Sequence, residues 1–427
     1  MFRRYTSRTS VCRGLALTAA TVLSATGLTF VSAPPAAAEG TGQCTFPSKP
    51  YKGRPWSLQR VMLDQLWEQT RGAKANGQSI KVAVIDTGVD VKNPQLKGAV
   101  EAGKGKNFLP KKPKKDKYGQ AAPRGKENAT SDSVGHGTKV AGIIAARPSS
   151  RTGFVGLAPE STIIPIAQND ASGSGTADTL AKSINHAVDA GADVINISQD
   201  TAQALQQDSA LEVAVRKALG SDVVVVASSG NDGLGGKVKQ TFPASYPGVL
   251  AVAASDRNNE RAPFSQSGDF VGIAAPGVDM VSTVPKGGHC PDNGTSFSAP
   301  YVAGVAALVR AKHPDWRQDQ VVAQLQQTAE RSMAGKDSRV GWGVVDPLRA
   351  LTEDEKPVDK PHADAGLPHA KAPSPAKLTL GETEQERNER IGTYAVVGGG
   401  TLAAMIGGGA LVYRDWRRRT GRGVSAE

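Results

Sequence analysis

The chain reads Val82-Ala83-Val84-Ile85-Asp86-Thr87-Gly88 where a run of apolar residues ends in an acid and a turn. A short, continuous apolar run of this kind is typical of a parallel strand that is buried on both faces. Similar runs recur along the chain, and helical patterns separate them. The predicted strands are Val82–Ile85, Thr162–Ile166, Asp193–Ile197 and Val223–Ala227, and the predicted helices are Lys139–Ala146, Thr176–Ala190 and Asp208–Leu219. Strands that alternate with helices predict a three-layer α/β fold, in which helices cover both faces of a mainly parallel sheet.

Three polar residues lie at strand ends or helix starts, where a side chain can take part in catalysis. Asp86 directly follows a strand, at the sheet edge where open α/β folds place their sites. His136 lies in Gly135-His136-Gly137-Thr138 before an apolar helix, and Ser296 lies in Gly294-Thr295-Ser296-Phe297-Ser298-Ala299-Pro300. Taken singly, the Asp suits a helix cap, the His a structural role and the Ser an N-cap. Together they form the acid, base and nucleophile of hydroxyl-based acyl transfer, in one of three known chain orders.

A second feature of the pattern concerns the charge that develops during acyl transfer. Pro300 is tolerated only in a first helical turn, so the helix after Ser296 must begin near this serine. The free N–H groups of that helix start are expected around the Ser296 hydroxyl, where they suit an oxyanion. Asn231 follows a buried strand, and its amide can donate to the same oxyanion, although a turn residue is the alternative. We therefore predict Asp86, His136 and Ser296 as catalytic residues and Asn231 with Ser296 as the oxyanion hole.

The net charge of +11 is concentrated in one segment, residues 97–126, where about ten Lys and Arg face two acids. A nucleic-acid or lipid head-group site is one interpretation of such a charge run. However, Pro and Gly interrupt the segment and it has little apolar periodicity, which favours a solvated loop. No nucleic-acid partner is predicted. The sequence also contains no acidic cluster that indicates a metal site, and no cofactor is predicted.

The first 38 residues have the pattern of an export signal. Residues 14–31 are apolar, and Ala36-Ala37-Ala38 is a small-residue cleavage pattern. The basic start consists of Arg3, Arg4, Arg8 and Arg13. These features predict a secretory signal peptide at residues 1–38, with an uncleaved anchor as the alternative. The paired Arg3-Arg4 also raises the twin-arginine export route.

A second apolar stretch, residues 391–412, contains no charged residue and is long enough to cross a bilayer as a helix. A basic group follows it, made of Arg414, Arg417, Arg418, Arg419 and Arg422. The positive-inside bias places this tail, residues 413–427, in the cytoplasm and the main body outside, giving a single-pass cell-membrane protein. Gly400, Ala404 and Gly408 form a stripe that permits close helix–helix approach, or that reflects ordinary glycine enrichment.

The regions between these ends differ in composition. Residues 39–79 are rich in Pro, Gly and Lys and contain one predicted helix, Ser57–Thr70. Residues 80–351 carry the strand–helix pattern, and residues 352–390 have the composition of a linker. Cys12 lies in the signal, which leaves Cys44 and Cys290 in the mature chain. In an oxidising compartment one pair indicates a disulfide, and two buried thiols are the alternative.

From about Ile80 to Ala350 the chain resembles a subtilisin-type serine peptidase of the S8 family. The resemblance lies in the Asp-Thr-Gly, His-Gly-Thr and Gly-Thr-Ser-x-Ser-Ala-Pro motifs described above. It implies a subtilisin-like fold and the same roles for Asp86, His136, Ser296 and Asn231. In this family, loss of the corresponding Asn amide is known to lower turnover by about 10²–10³.

The same resemblance implies a cleft in which a peptide substrate binds as an added strand. Gly173-Ser174-Gly175 matches one wall, and Ser198 begins the other. Ser228-Ser229-Gly230 matches the floor of the first specificity pocket. Gln199-Asp200 replaces the Leu-Gly that is typical after Ser198, and an acidic group there can shift the preference away from the broad apolar one of the family.

The overall architecture resembles mycosins, the membrane-anchored subtilases associated with actinobacterial type VII secretion. The resemblance rests on the signal, the extension with Pro55-Trp56, the long loop before His136, the Pro-rich tail and the terminal helix. It implies an extension that wraps the catalytic domain. We therefore expect a membrane-anchored extracytoplasmic serine endopeptidase, acting on polypeptides and associated with type VII secretion complexes. The alternatives are a structural subunit of such a complex, with dispensable proteolysis, and a nutrient-scavenging subtilase.

Overall fold

A computed structural model of the protein describes residues 44–111, 123–170, 175–200, 208–235, 240–364 and 381–420. The strands are β1 (Lys81–Asp86), β2 (Lys106–Asn107), β3 (Thr162–Ala167), β4 (Val194–Ile197), β5 (Val224–Ser228), β6 (Leu250–Ser255), β7 (Val271–Pro276), β8 (Met280–Thr283) and β9 (His289–Asp292). The helices are α1 (Trp56–Gln59), α2 (Leu63–Gln69), α3 (His136–Ala145), α4 (Ala177–Asp189), α5 (Ala210–Gly220), α6 (Thr295–Lys312), α7 (Gln318–Gln327), α8 (Pro347–Thr352) and α9 (Glu384–Thr420).

Within the described residues, seven parallel strands form the central sheet in the order β2-β3-β1-β4-β5-β6-β7. The chain leaves β1 to build β3 on one side of it and then crosses over to build β4 on the other. At such a switch point, the loops after neighbouring strands run to opposite faces and leave a crevice at the carboxyl ends. Asp86, the last residue of β1, lies at this crevice.

Alternate side chains of each strand face different helical layers. Val82 and Val84 pack in the cluster that contains α3 and α6, whereas Ala83 and Ile85 pack in the cluster that contains α4 and α5. Because side chains alternate between the faces of a strand, burial on both faces requires the continuous apolar runs seen in the sequence. The predicted three-layer, subtilisin-like α/β fold is confirmed. Helix α6 contacts β4, β5, β6 and β7, so the sheet positions the start of this helix.

The segment predicted as one helix, Ser57–Thr70, forms two helices instead. Met62, between α1 and α2, has a left-handed backbone conformation (φ 47°) and separates the two helices. The break lets Leu58 and Val61 as well as Leu63 and Leu66 enter the main core, while the Met62 side chain stays exposed. A helical stripe in the sequence does not reveal such a break, because both halves keep the same apolar spacing.

A strap of residues 44–52, named here the N-terminal strap, lies along the hairpin β8–β9. A disulfide joins Cys44 to Cys290 in β9. The Ser48 N–H donates to the Gly287 carbonyl at 3.0 Å, and the His289 N–H donates to the Lys49 carbonyl at 3.1 Å. Phe46 lies against Gly135, where an added Cβ would be 2.3 Å from the ring. The strap thus contacts both the hairpin before Ser296 and the residue before His136.

The chain divides into two compact units at Ala363 and Asp364. The first unit includes the residues just after α8, which are held by the Arg317–Asp359 pair at 2.9 Å and by the hydrogen bond of 2.9 Å that Arg331 donates to the His362 carbonyl. In the second unit, α9 has a segment with a mean hydropathy of 1.7 and is long enough to cross a membrane. It is the one such helix among the described residues. The predicted span 391–412 lies within α9.

The neutral form of His289 binds the N-terminal strap. The His289 Nδ1 accepts a hydrogen bond from the Tyr51 N–H at 3.1 Å. The His289 Nε2 lies 2.7 Å from the side-chain oxygen Oε1 of Gln95. The Gln95 amide nitrogen donates instead to the Arg147 and Phe154 carbonyls, so Nε2 carries the histidine proton. Burial lowers the pKa of His289 to about 4.

We expect acidification to destabilise the folded protein partly through His289. The unfolded chain binds a proton near the ordinary histidine pKa, whereas the folded chain binds it only near about 4. Stability is therefore lost as the pH falls between these values. Urea unfolding in a Ser296→Ala background, which excludes self-digestion, measures this. Carboxylates add to the acid loss in every variant, but His289→Asn should reduce the pH dependence. The exposed-site control His362→Asn should keep the full dependence, and equal dependence in His289→Asn would contradict the role of His289.

Candidate active site

Asp86 and His136 form the central pair of the site. Asp86 is fully buried at the end of β1, and His136 is the first residue of α3. The imidazole Nδ1 lies 2.8 Å from Oδ1 and 3.0 Å from Oδ2 of the carboxylate. Gly137 permits this approach, because a Cβ there would lie 2.1 Å from the Gly88 carbonyl oxygen. Since a buried carboxylate is costly without a partner, the pair fixes the orientation of the imidazole.

The protonation of His136 reflects two opposed effects. Burial alone would lower its pKa, but the charge of Asp86 and the hydrogen bond to it raise the pKa above its ordinary value. Asp132 and Asp292 add smaller contributions in the same direction. A base with a raised pKa accepts a proton more readily, and the partly exposed imidazole edge remains accessible from the crevice.

Asp132 is a buried acid that the sequence motifs did not single out. Its carboxylate accepts hydrogen bonds from the N–H groups of Gly135 at 2.8 Å and Thr138 at 2.9 Å. It also accepts hydrogen bonds from the hydroxyls of Thr87 at 2.9 Å and Thr138 at 2.7 Å. Burial raises its pKa, while these hydrogen bonds oppose the increase. Asp132 thus joins the start of α3 to the turn after Asp86. The sequence signal for it was an acid shortly before a helix start.

An ion pair joins the histidine helix to the serine segment. Lys139 Nζ in α3 lies 2.6 Å from Asp292 Oδ2 at the end of β9, and Lys139 is largely buried. The Phe297 ring lies between the two elements, with its centroid 5.2 Å from that of His136.

The acids around His136 do not make a metal site. Among the residues that the structure describes, no group of three His, Cys, Asp or Glu side chains could hold a metal ion.

Ser296 is the second residue of α6 and is partly exposed at the crevice. Asn231 Oδ1 accepts the N–H and the hydroxyl of Thr295, each at 3.0 Å, which fixes the orientation of the Asn231 amide. A Cβ on Gly294 would lie 3.6 Å from Asn231 Nδ2 and 3.7 Å from the Ser296 nitrogen. The two donors therefore border one space, which Gly294 leaves open.

Among the described contacts, no hydrogen bond joins the Ser296 hydroxyl to His136. His136 contacts Phe297, the residue after Ser296, with ring centroids 5.2 Å apart. Catalytic hydrogen bonds in free enzymes are often long or poorly aligned and tighten only when substrate binds. The arrangement thus places a buried acid, an oriented imidazole, a hydroxyl and two N–H donors at one sheet edge.

The predicted cleft residues lie at neighbouring strand ends. Ser198 directly follows β4 and accepts a hydrogen bond from Asn196 Nδ2 at 2.8 Å, and Ser228 ends β5. Ser229 and Gly230 follow, and the Gly230 N–H donates to Thr295 Oγ1 at 3.3 Å.

Gly175 contacts the Gln168 side chain just beyond β3. Gly173 and Ser174 lie outside the described residues.

Known proteins resemble this chain in sequence. Residues 77–343 match the subtilase family, Peptidase_S8. Alkaline elastase YaB of Bacillus sp. (strain YaB) is 38% identical over 292 residues, which are 68% of each chain. Subtilisin Savinase of Lederbergia lenta is 37% identical over 291 residues, which are 68% of this chain and 96% of the relative. These matches support the predicted resemblance to subtilisin-type peptidases.

Solved structures give a second comparison. The MycP3 protease from the type VII (ESX-3) secretion system is 34% identical with a TM-score of 0.60, covering 72% of this chain and 90% of that one. MycP1 from Mycobacterium smegmatis is 30% identical with a TM-score of 0.58, covering 77% of this chain and 92% of that one. The predicted resemblance to mycosins is confirmed.

A Gly294→Ala substitution should impair turnover more than folding. The methyl group would enter the space between Asn231 Nδ2 and the Ser296 N–H, and the φ of 150° at this position disfavours a side chain. We expect kcat/KM for a chromogenic peptide to fall about 10²-fold, the lower end of what loss of an oxyanion donor costs subtilisin-type enzymes. The matched control is Gly98→Ala, because nothing lies within 4 Å of a Cβ at Gly98. Wild-type turnover in a folded Gly294→Ala chain would contradict the assignment.

Proposed function

Because the chain belongs to the subtilase family, whose members are serine peptidases, we propose that it is a membrane-anchored, extracytoplasmic serine endopeptidase. It hydrolyses peptide bonds through an acyl-enzyme on Ser296. The observation that carries this proposal is the Asp86–His136 hydrogen bond of 2.8 Å, beside a space bordered by Asn231 Nδ2 and the Ser296 N–H.

Each residue has a definite part in the proposed reaction. The Ser296 Oγ attacks the scissile carbonyl carbon while His136 Nε2 accepts its proton. Asp86 keeps the other proton on Nδ1 and stabilises the imidazolium that forms. Asn231 Nδ2 and the Ser296 N–H donate to the oxyanion. The imidazolium then protonates the leaving amine, and the C–N bond breaks. In the second half, His136 Nε2 accepts a proton from a water molecule, whose oxygen attacks the acyl carbon. The imidazolium returns a proton to Ser296 Oγ as the ester bond breaks.

The proposed substrate is a polypeptide bound as an extra strand. Gly173, Ser174 and Gly175 would form one wall of the cleft, and Ser198 would begin the other. The first specificity pocket would have Ser228, Ser229 and Gly230 as its floor. The strand ends that carry Ser198 and Ser228–Gly230 are adjacent and parallel, which supports a single pocket between them.

The proposed topology places this site outside the membrane. It rests on the export pattern at the N-terminus, the length and apolar character of α9, and the basic group after it. The proposed regions are a signal peptide (1–38), an extension on the catalytic domain (39–79), the peptidase domain (80–351), a linker (352–390), a transmembrane helix (391–412) and a cytoplasmic tail (413–427).

A second candidate function is a structural role in a secretion membrane complex. Two observations favour it: the structural neighbours described above include a protease from a type VII secretion system, and α9 supplies a candidate membrane helix. Comparing a Ser296→Ala chain with a deletion of the whole protein separates the two functions. Secretion that fails only in the deletion would support the structural role, whereas secretion that fails in both would make catalysis essential to it.

The direct test of the peptidase proposal is labelling of the full chain by a fluorophosphonate probe. The probe reacts with a serine only when a neighbouring base activates the hydroxyl, so we expect labelling of the wild type and none of Ser296→Ala. Asp86→Asn should slow labelling strongly, because it favours the wrong histidine tautomer. The control Ser298→Ala changes a neighbouring serine on the same helix and should still be labelled. Absence of Ser296-dependent labelling in folded protein would refute the proposal.

A further inference from the structure

An acidic crevice lies beside the proposed oxyanion donors. Strands β4 and β5 are parallel neighbours, so Asp200 and Gly230, which follow them, emerge at the same edge of the sheet. A Cβ on Gly230 would lie 3.0 Å from Asp200 Oδ2. Gly230 directly precedes Asn231, and its N–H donates to the hydroxyl of Thr295, the residue before Ser296. The Asp200 carboxylate therefore lies beside Gly230, the residue that precedes Asn231.

Gln266 forms a second polar wall of the same crevice. Its Cδ and Nε2 lie 3.0 and 3.1 Å from the same Cβ position on Gly230, so its amide and the Asp200 carboxylate converge there. Gln266 is buried, and neither its Oε1 nor its Nε2 has a hydrogen-bond partner among the described residues. A buried amide without partners is costly, and a polar ligand would reduce that cost.

The charge of this crevice is not balanced within the described part of the chain. Asp200 is exposed to solvent, and the surrounding protein buries part of its carboxylate. This burial, together with the charge of Asp232, raises the pKa of Asp200 to about 6. No described lysine, arginine or histidine acts on its pKa in the opposite direction. A carboxylate in such a setting gains most from a bound cation.

The position of the crevice determines which part of a peptide would meet it. If the scissile carbonyl oxygen lies between Asn231 Nδ2 and the Ser296 N–H, the side chain of that same residue starts next to Gly230. Because Gly230 has no side chain, that space is bordered directly by Asp200 Oδ2 and the Gln266 amide. An apolar side chain there would cover Asp200 and the Gln266 amide without giving them partners. A lysine ammonium or an arginine guanidinium would pair with the Asp200 carboxylate.

We propose that Asp200 makes this peptidase select lysine or arginine on the N-terminal side of the scissile bond. An aspartate or glutamate at that position is rejected by Asp200 and Asp232, and a leucine is accepted less well than a lysine. This selectivity rests on the proposed function, because it takes Ser296 as the nucleophile.

The test uses four peptides that differ only in the residue before a fluorogenic leaving group: lysine, arginine, leucine or glutamate. With the full chain in detergent, we expect kcat/KM to be about tenfold or more higher for the lysine and arginine peptides than for the leucine peptide. Asp200→Asn should remove this difference by lowering the basic rates and raising the leucine rate. Asp200→Lys should reverse the charge preference, so that the glutamate peptide is cleaved faster than the lysine peptide. Asp319→Asn on α7, the same change as Asp200→Asn in an acid outside the site, should keep the wild-type order.

The outcomes separate this proposal from the proposed function. A chain that shows Ser296-dependent labelling and cleaves the leucine peptide at least as well as the lysine peptide remains a peptidase but overturns the role of Asp200. An unchanged order of substrates in Asp200→Asn overturns that role as well. If no peptide is cleaved, binding of the lysine and leucine peptides to Ser296→Ala decides between the two possibilities. Tighter lysine binding that requires Asp200 supports the acidic pocket, and equal binding overturns it.

Discussion

The hydrogen bond between the buried Asp86 carboxylate and His136 Nδ1 constrains the rest of the site. Asp86 is at the end of the central strand β1, where protein replaces the water that would otherwise solvate its charge. The pairing compensates that loss and at the same time selects the histidine tautomer that leaves Nε2 free to act as a base. Helix α3 must begin against the turn after β1 for the two groups to meet. The absence of a side chain at Gly137 makes this approach possible.

Contacts distant in sequence hold the other parts of the site around this pair. Asp132 joins the start of α3 to Thr87, and Lys139 joins α3 to Asp292, four residues before Ser296. The N-terminal strap adds a third connection, because its disulfide ends in β9 and its Phe46 lies against Gly135. The histidine and serine segments are thus fixed to each other by two independent connections, the Lys139–Asp292 pair and the N-terminal strap.

The apolar runs allowed the sheet and its two helical layers to be predicted, because doubly buried parallel strands need such runs. The motifs around Asp86, His136, Ser296 and Asn231 are local, so their residue types, their order along the chain and their family resemblance sufficed to propose their roles. The break at Met62 was missed because both helical halves share one apolar stripe. The Lys139–Asp292 pair spans 153 positions, and no local pattern marks partners that far apart. The sequence likewise showed Asp200 as a departure from the family, but not that Gln266 faces the same space.

The most direct test of this constraint is the titration of His136 by NMR in full-length, isotope-labelled protein, with the resonance assigned by comparison with a His136→Gln chain. We expect a pKa above the ordinary histidine value, because the charge and hydrogen bond of Asp86 outweigh the effect of burial. In Asp86→Asn the charge is lost and burial remains, so the pKa should fall below that of the wild type. The same pKa in both chains would show that Asp86 does not act on His136, and would contradict the central claim.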